Sequence, residues 1–263
     1  MKIALIQTSL IWGNVEENLR LYADRVAGCN GCDLILLPEM FTFGSMMAKV
    51  PREVADVEKK EVAGRFPEVR QKMQEWAMQR DAVVAGSTVY EENGIYYNRL
   101  IAAFPDGHSL FYDKRHCFRM GGEKEHFSGG NHHLVFDFRG VRIAAFICYD
   151  LRFPVWCRNT GGYDLAFFVA NWPEARRQAW EILLRARAVE NQAYIAGVNC
   201  VGCDHNGILY AGDSFVADPW GNIQKKAREY EEETVMVECD MAALRDYRRR
   251  FAVLEDRDEF VIC

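Results

Sequence analysis

The segment DLILLPEM, residues 33–40, constrains the fold more than any other feature of the chain. Its apolar residues follow one another without alternation and stop at Pro38 and Glu39. Such a run is typical of a strand that is covered on both faces, so a sheet in this chain needs a packing layer on either side. Strand-like and helix-like segments alternate along the rest of the sequence. We therefore expect two packed sheets with helices outside them, an α/β (α+β) fold.

Local signals predict where several elements begin and end. The stretch from Asn14 to Glu17 has the pattern of a capping box and predicts the start of a helix. A second helix carries apolar residues from Phe66 to Ala77, and a third is predicted from about Ala175 to Tyr194. The turn at Arg139-Gly140 separates two strand-like segments, which predicts a hairpin with Cys148 at the end of its second strand.

Composition excludes several classes of function. A chain of 263 residues with 49% hydrophobic residues and no linker-like segment predicts a single domain over residues 1–263. Its formal net charge of -6 provides no basic field, so we expect no nucleic-acid partner and interpret the Arg-rich run 245–251 as a solvated helix face. No apolar segment approaches the roughly 20 residues that span a bilayer. The sequence therefore predicts a soluble, cytoplasmic protein with no membrane partner.

Nine cysteines without a secretion signal predict free thiols rather than a disulfide framework. Cys29 and Cys32 have the CxxC spacing of zinc ligands or of a redox dithiol, and so do Cys200 and Cys203. The two pairs are far apart in the sequence, and neither begins a helix of a thioredoxin-like unit. Four histidines lack paired ligand spacing and are interpreted as solvated or hydrogen-bonded: His116, His126, His132 and His133. We expect no metal.

Three residues with reactive side chains lie where strand-like segments end. Glu39 ends DLILLPE, Lys114 lies in FYDKRHCF, and Cys148 ends AAFIC. In sheet proteins covered by helices, strand ends are where loops converge and ligands bind. Each residue also has a structural interpretation, as a helix-capping acid, a surface charge and a packed thiol. Position alone leaves both interpretations open.

The motifs around these residues resemble the nitrilase superfamily of carbon-nitrogen hydrolases, which uses a Glu-Lys-Cys constellation in this chain order. LPEM carries Glu39, YDKRHCF carries Lys114, and ICYDLRFP carries Cys148. Two later blocks, ANWPEARRQAWEILLRARAVENQAYIAGVN and YAGDSFVADPWG, extend the resemblance over nearly the whole chain. The resemblance implies a four-layer α-β-β-α sandwich. LPEMF, FRMGGE and ANWP are most similar to ω-amidases, which deamidate α-keto-acid amides such as α-ketoglutaramate.

The resemblance also implies a role for each residue. Cys148 attacks the amide carbonyl, Glu39 moves protons as general base and acid, and Lys114 stabilises the negative tetrahedral oxygen. The backbone N–H of Tyr149 is predicted to be a second donor to that oxygen. This chemistry needs no metal and no organic cofactor, and the expected partner is a small amide substrate.

A second glutamate downstream of the lysine is common in the family, and GGEKEHF offers Glu123 and Glu125. We favour Glu123 because its place after FRMGG fits the ω-amidase pattern. Arg115 has two interpretations, as a ligand for a substrate carboxylate or as a structural ion-pair partner. For Arg152 we favour a structural ion pair, with Asp150 or another acid as its partner.

Aromatic residues near the motifs are candidates for the walls of the pocket. We assign Phe118 and Trp172 to these apolar walls beside Tyr149, although aromatic side chains in such runs are more often ordinary core. One departure from the family pattern follows the glutamate, where MFTFGSMM lacks the glycine expected directly after the Phe-Thr pair. We therefore expect Phe43 near the entrance, where it narrows the pocket.

Other functions remain open at this point. A nitrilase or a carbamoylase would use the same three residues, and only substrate tests or pocket shape separate them from an amidase. A non-enzymatic zinc-binding or thiol-sensing protein would depend on the CxxC pairs instead. By resemblance we expect a homodimer or a larger homo-oligomer, with the late segment MAALRDYRRRF at an interface.

Overall fold

The computed structural model describes residues 1–44 and 52–262, so residues 45–47 of the entrance segment MFTFGSMM lie outside the described part. The strands are β1 (Lys2–Gln7), β2 (Leu34–Leu36), β3 (Val83–Glu92), β4 (Ile95–Ala103), β5 (Ser109–Asp113), β6 (Leu134–Phe138), β7 (Val141–Ile147), β8 (Leu165–Ala170), β9 (Tyr194–Asn199), β10 (Val201–Cys203), β11 (Leu209–Ala211), β12 (Phe215–Ala217), β13 (Ile223–Lys226) and β14 (Glu233–Glu238). The α-helices are α1 (Val15–Ala27), α2 (Arg52–Gly64), α3 (Phe66–Arg80), α4 (Glu123–His126), α5 (Arg177–Asn191) and α6 (Met241–Arg250). Short 3-10 helices span Arg119–Gly121, Cys148–Arg152, Glu174–Arg176 and Val253–Asp256.

Two six-stranded sheets each have three parallel strands at their centre. The first sheet has the order β14-β1-β2-β3-β4-β5, and the second has the order β13-β12-β9-β8-β7-β6. β1, β2 and β3 are parallel, as are β7, β8 and β9, and the flanking strands are antiparallel. Because parallel neighbours end at the same edge of a sheet, the residues that follow β7 and β8 lie close together.

Apolar side chains of the two sheets meet in one core. Leu5 and Leu36 of the first sheet belong to the same buried cluster as Ile143 and Phe167 of the second. The other face of the first sheet packs against α1 and α3, where Tyr22 is fully buried, and α5 covers the second sheet. The layers therefore run helix, sheet, sheet, helix, which confirms the predicted α-β-β-α sandwich.

The predicted element boundaries are largely confirmed. The Asn14 side chain accepts a hydrogen bond from the backbone N–H of Glu17 at 3.1 Å and caps α1. The third predicted helix is shorter than expected at both ends. Residues Glu174–Arg176 form a 3-10 turn before α5, and Gln192 (φ 43°) adopts a left-handed conformation that ends it. Tyr194 instead begins β9, because its apolar run pairs with β8 inside the second sheet.

The Arg-rich run lies mostly in α6. Arg249 and Arg250 are exposed there and bind Asp246 of the same helix, in line with a solvated face. Across residues 1–44 and 52–262, none of the helices combines the length and the apolar character that crossing a bilayer requires.

We expect substitution of Gly197 by alanine to destabilise the fold. A Cβ at Gly197 would lie 2.4 Å from Leu184 Cδ1 and 2.7 Å from Trp180 Cζ2, so α5 would have to move off β9. Overpacking of this kind costs about 1–3 kcal/mol, which urea or thermal unfolding measures directly. Gly64→Ala is the matched control, since nothing lies within 4 Å of that Cβ. Equal stability of the two variants would contradict the close approach of α5 to the sheet.

Candidate active site

One cavity lies at the carboxyl ends of the central strands. Its walls come from loops after β2, β5, β7 and β8. The lining residues are Glu39, Lys114, Phe118, Glu123, Cys148, Tyr149, Arg152, Asn171, Trp172, Pro173 and Arg176. The three residues that the motifs singled out are therefore brought together in one cavity.

Glu39 reaches the cavity through a sharp turn after β2. Met40, which follows it, has φ 48° and donates its backbone N–H to Ser87 Oγ at 2.9 Å. One carboxylate oxygen of Glu39 accepts from Asn98 Nδ2 at 2.8 Å, and the other accepts from the backbone N–H of Asn171 at 2.9 Å. The carboxylate is thus held by donors from both sheets.

Lys114 follows β5 and is 2% exposed. Its Nζ lies 2.7 Å from Glu39 Oε1 and 2.8 Å from both carboxylate oxygens of Glu123. Burial by itself would lower the pKa of Lys114, but the negative charges of Glu123 and Glu39 raise that pKa well above its ordinary value. Lys114 is therefore a fixed cation at neutral pH.

Cys148 is the first residue after β7 and begins a 3-10 helix in the left-handed conformation, with φ 43°. This conformation is costly for a residue with a side chain, and such strain is concentrated at functional sites. Burial and then the charge of Glu39 raise the pKa of the Cys148 thiol well above its ordinary value, although Lys114 opposes the shift. The resting group is therefore a neutral thiol, and its sulfur lies 4.0 Å from the carbonyl oxygen of Asn171.

Asp150 fastens the strand end that carries the nucleophile. Its fully buried carboxylate accepts from the backbone N–H of Ile147 at 3.0 Å and from the Tyr112 hydroxyl at 2.7 Å. It also accepts from the backbone N–H of His116 at 3.0 Å and lies 2.8 Å from His116 Nδ1. One carboxylate therefore joins the Cys148 turn to the loop that follows Lys114.

Aromatic rings and two arginines form the remaining wall. Phe118 and Tyr149 contact each other edge to face with 4.9 Å between ring centroids. The Arg152 guanidinium lies 4.9 Å from the centroid of the Trp172 ring, and the Arg176 guanidinium lies 5.0 Å from the Phe118 ring. Phe118, Tyr149 and Trp172 all line the cavity.

The structure places two arginines differently from the sequence interpretation. Arg115 does not line the cavity: its Nη1 donates to the carbonyl of Gly130 at 3.0 Å, and its guanidinium lies over Trp156. Arg152 does line the cavity, and within the described ranges it has no carboxylate partner. Asp150 is unsuited to pair with Arg152, because its oxygens already accept from the donors named above.

Two further expectations concern residues near the cavity. Of the two acids in GGEKEHF, Glu123 is buried against Lys114, whereas Glu125 is exposed. Phe43 is half-buried and packs against the buried apolar cluster between the first sheet and the helices α1 and α3, and it does not line the cavity. Substrate size is therefore not limited by direct contact with Phe43.

The CxxC cysteines and the four histidines named from the sequence do not line the cavity. Cys29 and Cys32 are buried free thiols, and burial together with its neighbour raises the pKa of Cys29 to about 12. Cys200 is buried and Cys203 is exposed. Among residues 1–44 and 52–262, no group of three or more His, Cys, Asp or Glu side chains could hold a metal ion.

Three cavity-side residues received no role from the sequence, although two of them, Asn171 and Arg176, lie in the block that begins ANWPEAR. Asn98 donates to Glu39 from β4, Asn171 has a side-chain amide without a partner, and Arg176 lines the far wall. Asn98 interrupts the strand segment IYYNRLIAAF, so a lone polar residue on a buried strand face was the available clue. Arg176 lay in a segment whose helical pattern predicted an ordinary helix position.

A family model described as carbon-nitrogen hydrolase matches residues 2–249. Omega-amidase YafV of Escherichia coli (strain K12) is 44% identical over 99% of this chain and 98% of that protein. The 2-oxoglutaramate amidase of Bacillus subtilis (strain 168) is 30% identical over 97% of this chain and 96% of that protein.

A solved structure agrees over the whole chain. XC1258 from Xanthomonas campestris, a CN-hydrolase superfamily protein with an arsenic adduct in its active site, is 38% identical and superimposes with a TM-score of 0.93. The alignment covers 100% of this chain and 99% of that one. These matches confirm the resemblance drawn from the motifs, and the chain belongs to the carbon-nitrogen hydrolase family.

Proposed function

We propose that this enzyme hydrolyses the terminal amide of small α-keto-acid amides, such as α-ketoglutaramate and α-ketosuccinamate, to the acid and ammonia. The observation that carries the proposal is the convergence of Glu39, Lys114 and Cys148 on one cavity. The names of its relatives, an omega-amidase and a 2-oxoglutaramate amidase, support the choice of substrate. A carbamoylase or a nitrilase is the alternative, because both would use the same three residues.

The first half-reaction forms a thioester. Glu39 takes the proton of the Cys148 thiol as sulfur attacks the amide carbon, which avoids a free thiolate in a buried site. The Lys114 ammonium and the backbone N–H of Tyr149 stabilise the negative oxygen of the tetrahedral intermediate. Glu39 then gives its proton to the departing nitrogen. Ammonia leaves, and the acyl group remains on the sulfur.

The second half-reaction restores the thiol. Glu39 removes a proton from a water molecule, which attacks the thioester, and the second tetrahedral oxygen occupies the same site beside Lys114. Collapse of this intermediate breaks the C–S bond, and the proton held by Glu39 returns to Cys148. Glu123 holds Lys114 in place in both half-reactions through two contacts of 2.8 Å. Neither half-reaction needs a metal or an organic cofactor.

Three further parts of the proposal concern the domain, the cellular compartment and the partners of the enzyme. We place residues 1–263 in one catalytic domain, because the family model extends over residues 2–249. We place the enzyme in the cytoplasm, where a reducing environment keeps thiols free, in keeping with the free cysteines of the described part. Nucleic acid is not a partner in this proposal, since the formal charge of -6 would repel phosphate.

We further propose that two copies associate through an apolar patch formed by Val189 of α5, Trp220 of the β12–β13 turn and Phe251 after α6, which we call the α5–α6 patch. Val189, Trp220 and Phe251 are each about half exposed. A Cβ at Gly221 would lie 2.8 Å from Val189, and Tyr247 lies between the rings of Trp220 and Phe251, so the patch is continuous. A contiguous apolar surface of this kind is typical of an interface between subunits.

The nucleophile is tested by ammonia release from α-ketoglutaramate, α-ketosuccinamate, glutamine, a carbamoyl amino acid and a simple nitrile. We expect the keto-amides to be preferred and Cys148→Ala to lower their turnover by more than about 10³-fold. Cys203→Ala, which removes an exposed thiol, serves as the control and should keep full activity. Preference for another substrate would place the enzyme in a branch of the carbon-nitrogen hydrolases other than the ω-amidases. Turnover by Cys148→Ala would exclude Cys148 as the nucleophile.

The second glutamate is tested by paired substitutions. Glu123→Gln removes one of the two carboxylates that hold Lys114, so we expect kcat/KM to fall about 10- to 100-fold, less than the loss of an oxyanion donor, which costs about 10²–10³. Glu125→Gln changes an exposed acid of the same short helix and should stay within about twofold. Similar losses in both variants would argue against a specific role for Glu123.

Association is tested by sedimentation velocity. Trp220→Glu places a charge in the α5–α6 patch and should shift the protein towards the monomer, because burying an unpaired charge is unfavourable. Val57→Glu is the control, since Val57 is 67% exposed on α2, outside the patch. A wild-type protein that sediments as a monomer would refute the proposed interface.

A further inference from the structure

Two cations in the cavity wall lack a counter-ion. Glu39, Lys114 and Glu123 satisfy one another, whereas Arg152 and Arg176 have no carboxylate partner within the described ranges. Both arginines are only partly exposed, so water cannot fully replace the missing anion. A partly desolvated guanidinium without an acid beside it indicates that an anionic ligand completes its environment.

The contacts of these arginines leave their hydrogen-bonding edges available. Arg176 lies over the ring of Phe118, and Arg152 lies over the ring of Trp172. Stacking on a ring uses the flat face of the guanidinium, while its N–H groups point outward along the edge. Arg99 shows the contrast: it lies over Tyr90 and also pairs with a carboxylate.

The backbone of Arg176 is anchored so that its side chain is presented to the cavity. Its carbonyl accepts from Trp172 Nε1 at 2.8 Å, and its N–H donates to the carbonyl of Pro173 at 3.0 Å. On the outer side of the same turn, Tyr230 donates its hydroxyl to Glu174 at 2.6 Å. These bonds fix the point at which the Arg176 side chain leaves the backbone at the cavity wall.

Arg177, the next residue along the chain, has carboxylate partners. Arg177 turns away from the cavity, with Nε 2.9 Å from Asp213 Oδ2 and Nη2 2.8 Å from Glu229 Oε1. Two adjacent arginines therefore have different surroundings: one is neutralised on the outside by two acids, and the other faces the cavity without an acid. Structural pairing accounts for Arg177 but not for Arg176.

We propose that Arg176, with Arg152 beside it, binds the carboxylate at the far end of the substrate and determines specificity for amides of anionic acids over neutral amides. The inference rests on the proposed amidase function and deepens it. A fork of N–H donors matches a carboxylate in a bidentate geometry. The substrate is then held at both ends, with its amide at Cys148 and its carboxylate at the arginine wall.

The test compares an anionic substrate with a neutral one of equal length. kcat/KM is measured for α-ketoglutaramate and for pentanamide in the wild type, Arg176→Gln, Arg176→Lys and Arg119→Gln. We expect the ratio of the two values to fall about 10- to 100-fold in Arg176→Gln, as expected for loss of a charged hydrogen-bonding partner. Arg176→Lys keeps the charge without the fork and should lie between wild type and Arg176→Gln.

Arg119→Gln is the matched control. Arg119 is exposed and follows Phe118, but it does not line the cavity, so its removal changes the local charge without removing a ligand group. Its substrate ratio should stay within about twofold of wild type. If Arg176→Gln lowers kcat/KM equally for both substrates, or leaves both values unchanged, the ratio stays the same. Either result would show that Arg176 does not bind the carboxylate, and the proposal fails.

A binding measurement separates this inference from the proposed function. 2-Oxoglutarate, the product of the proposed reaction, is titrated calorimetrically into Cys148→Ala and into Cys148→Ala combined with Arg176→Gln. We expect the Kd to rise at least about tenfold in the double variant. If the wild type did not hydrolyse keto-amides while this difference persisted, the proposed function would fail and the anion site would stand. Equal Kd values would refute the anion site whatever the enzyme hydrolyses.

Discussion

The buried ammonium of Lys114 between two carboxylates is the interaction on which the site depends. Transfer of each ion from water to an interior costs several kcal/mol unless partners compensate for it. Here Glu39 and Glu123 both contact the ammonium, and Asn98 donates to Glu39 at 2.8 Å. Loss of the Lys114 charge would leave two buried carboxylates without a cation beside them. The cluster therefore forms only when β2, β4, β5 and α4 are all in their final positions.

The same constraint explains why the site spans the two sheets. Glu39 comes from the first sheet and accepts from the backbone of Asn171, which follows β8 of the second. Asp150 supplies another link, since it binds the strand end before Cys148 and the loop after Lys114. Packing of the sheets thus fixes the distance between the base and the nucleophile. Burial and the charge of Glu39 raise the pKa of the thiol and keep it neutral, and the two carboxylates raise the pKa of Lys114 and keep it charged.

Specific residues show how far the sequence could be interpreted. Glu39, Lys114 and Cys148 were found because each ends a strand-like run and lies in a family motif. The arginines were harder to interpret, because an arginine has the same local signal whether it pairs with an acid, packs on a ring or faces a ligand. Arg115 and Arg152 were distinguished only by their neighbours in space.

The sequence by itself determined the layer order, the strand ends and the reactive residues, because apolar periodicity and local motifs are written within a few neighbouring positions. Only the tertiary structure decided which charges compensate one another. Glu123 rather than Glu125 contacts Lys114, and Arg176 rather than Arg177 faces the cavity. Adjacent or nearly adjacent residues of the same type are separated by the direction in which the backbone presents them, and that direction is set by contacts between segments far apart in the chain.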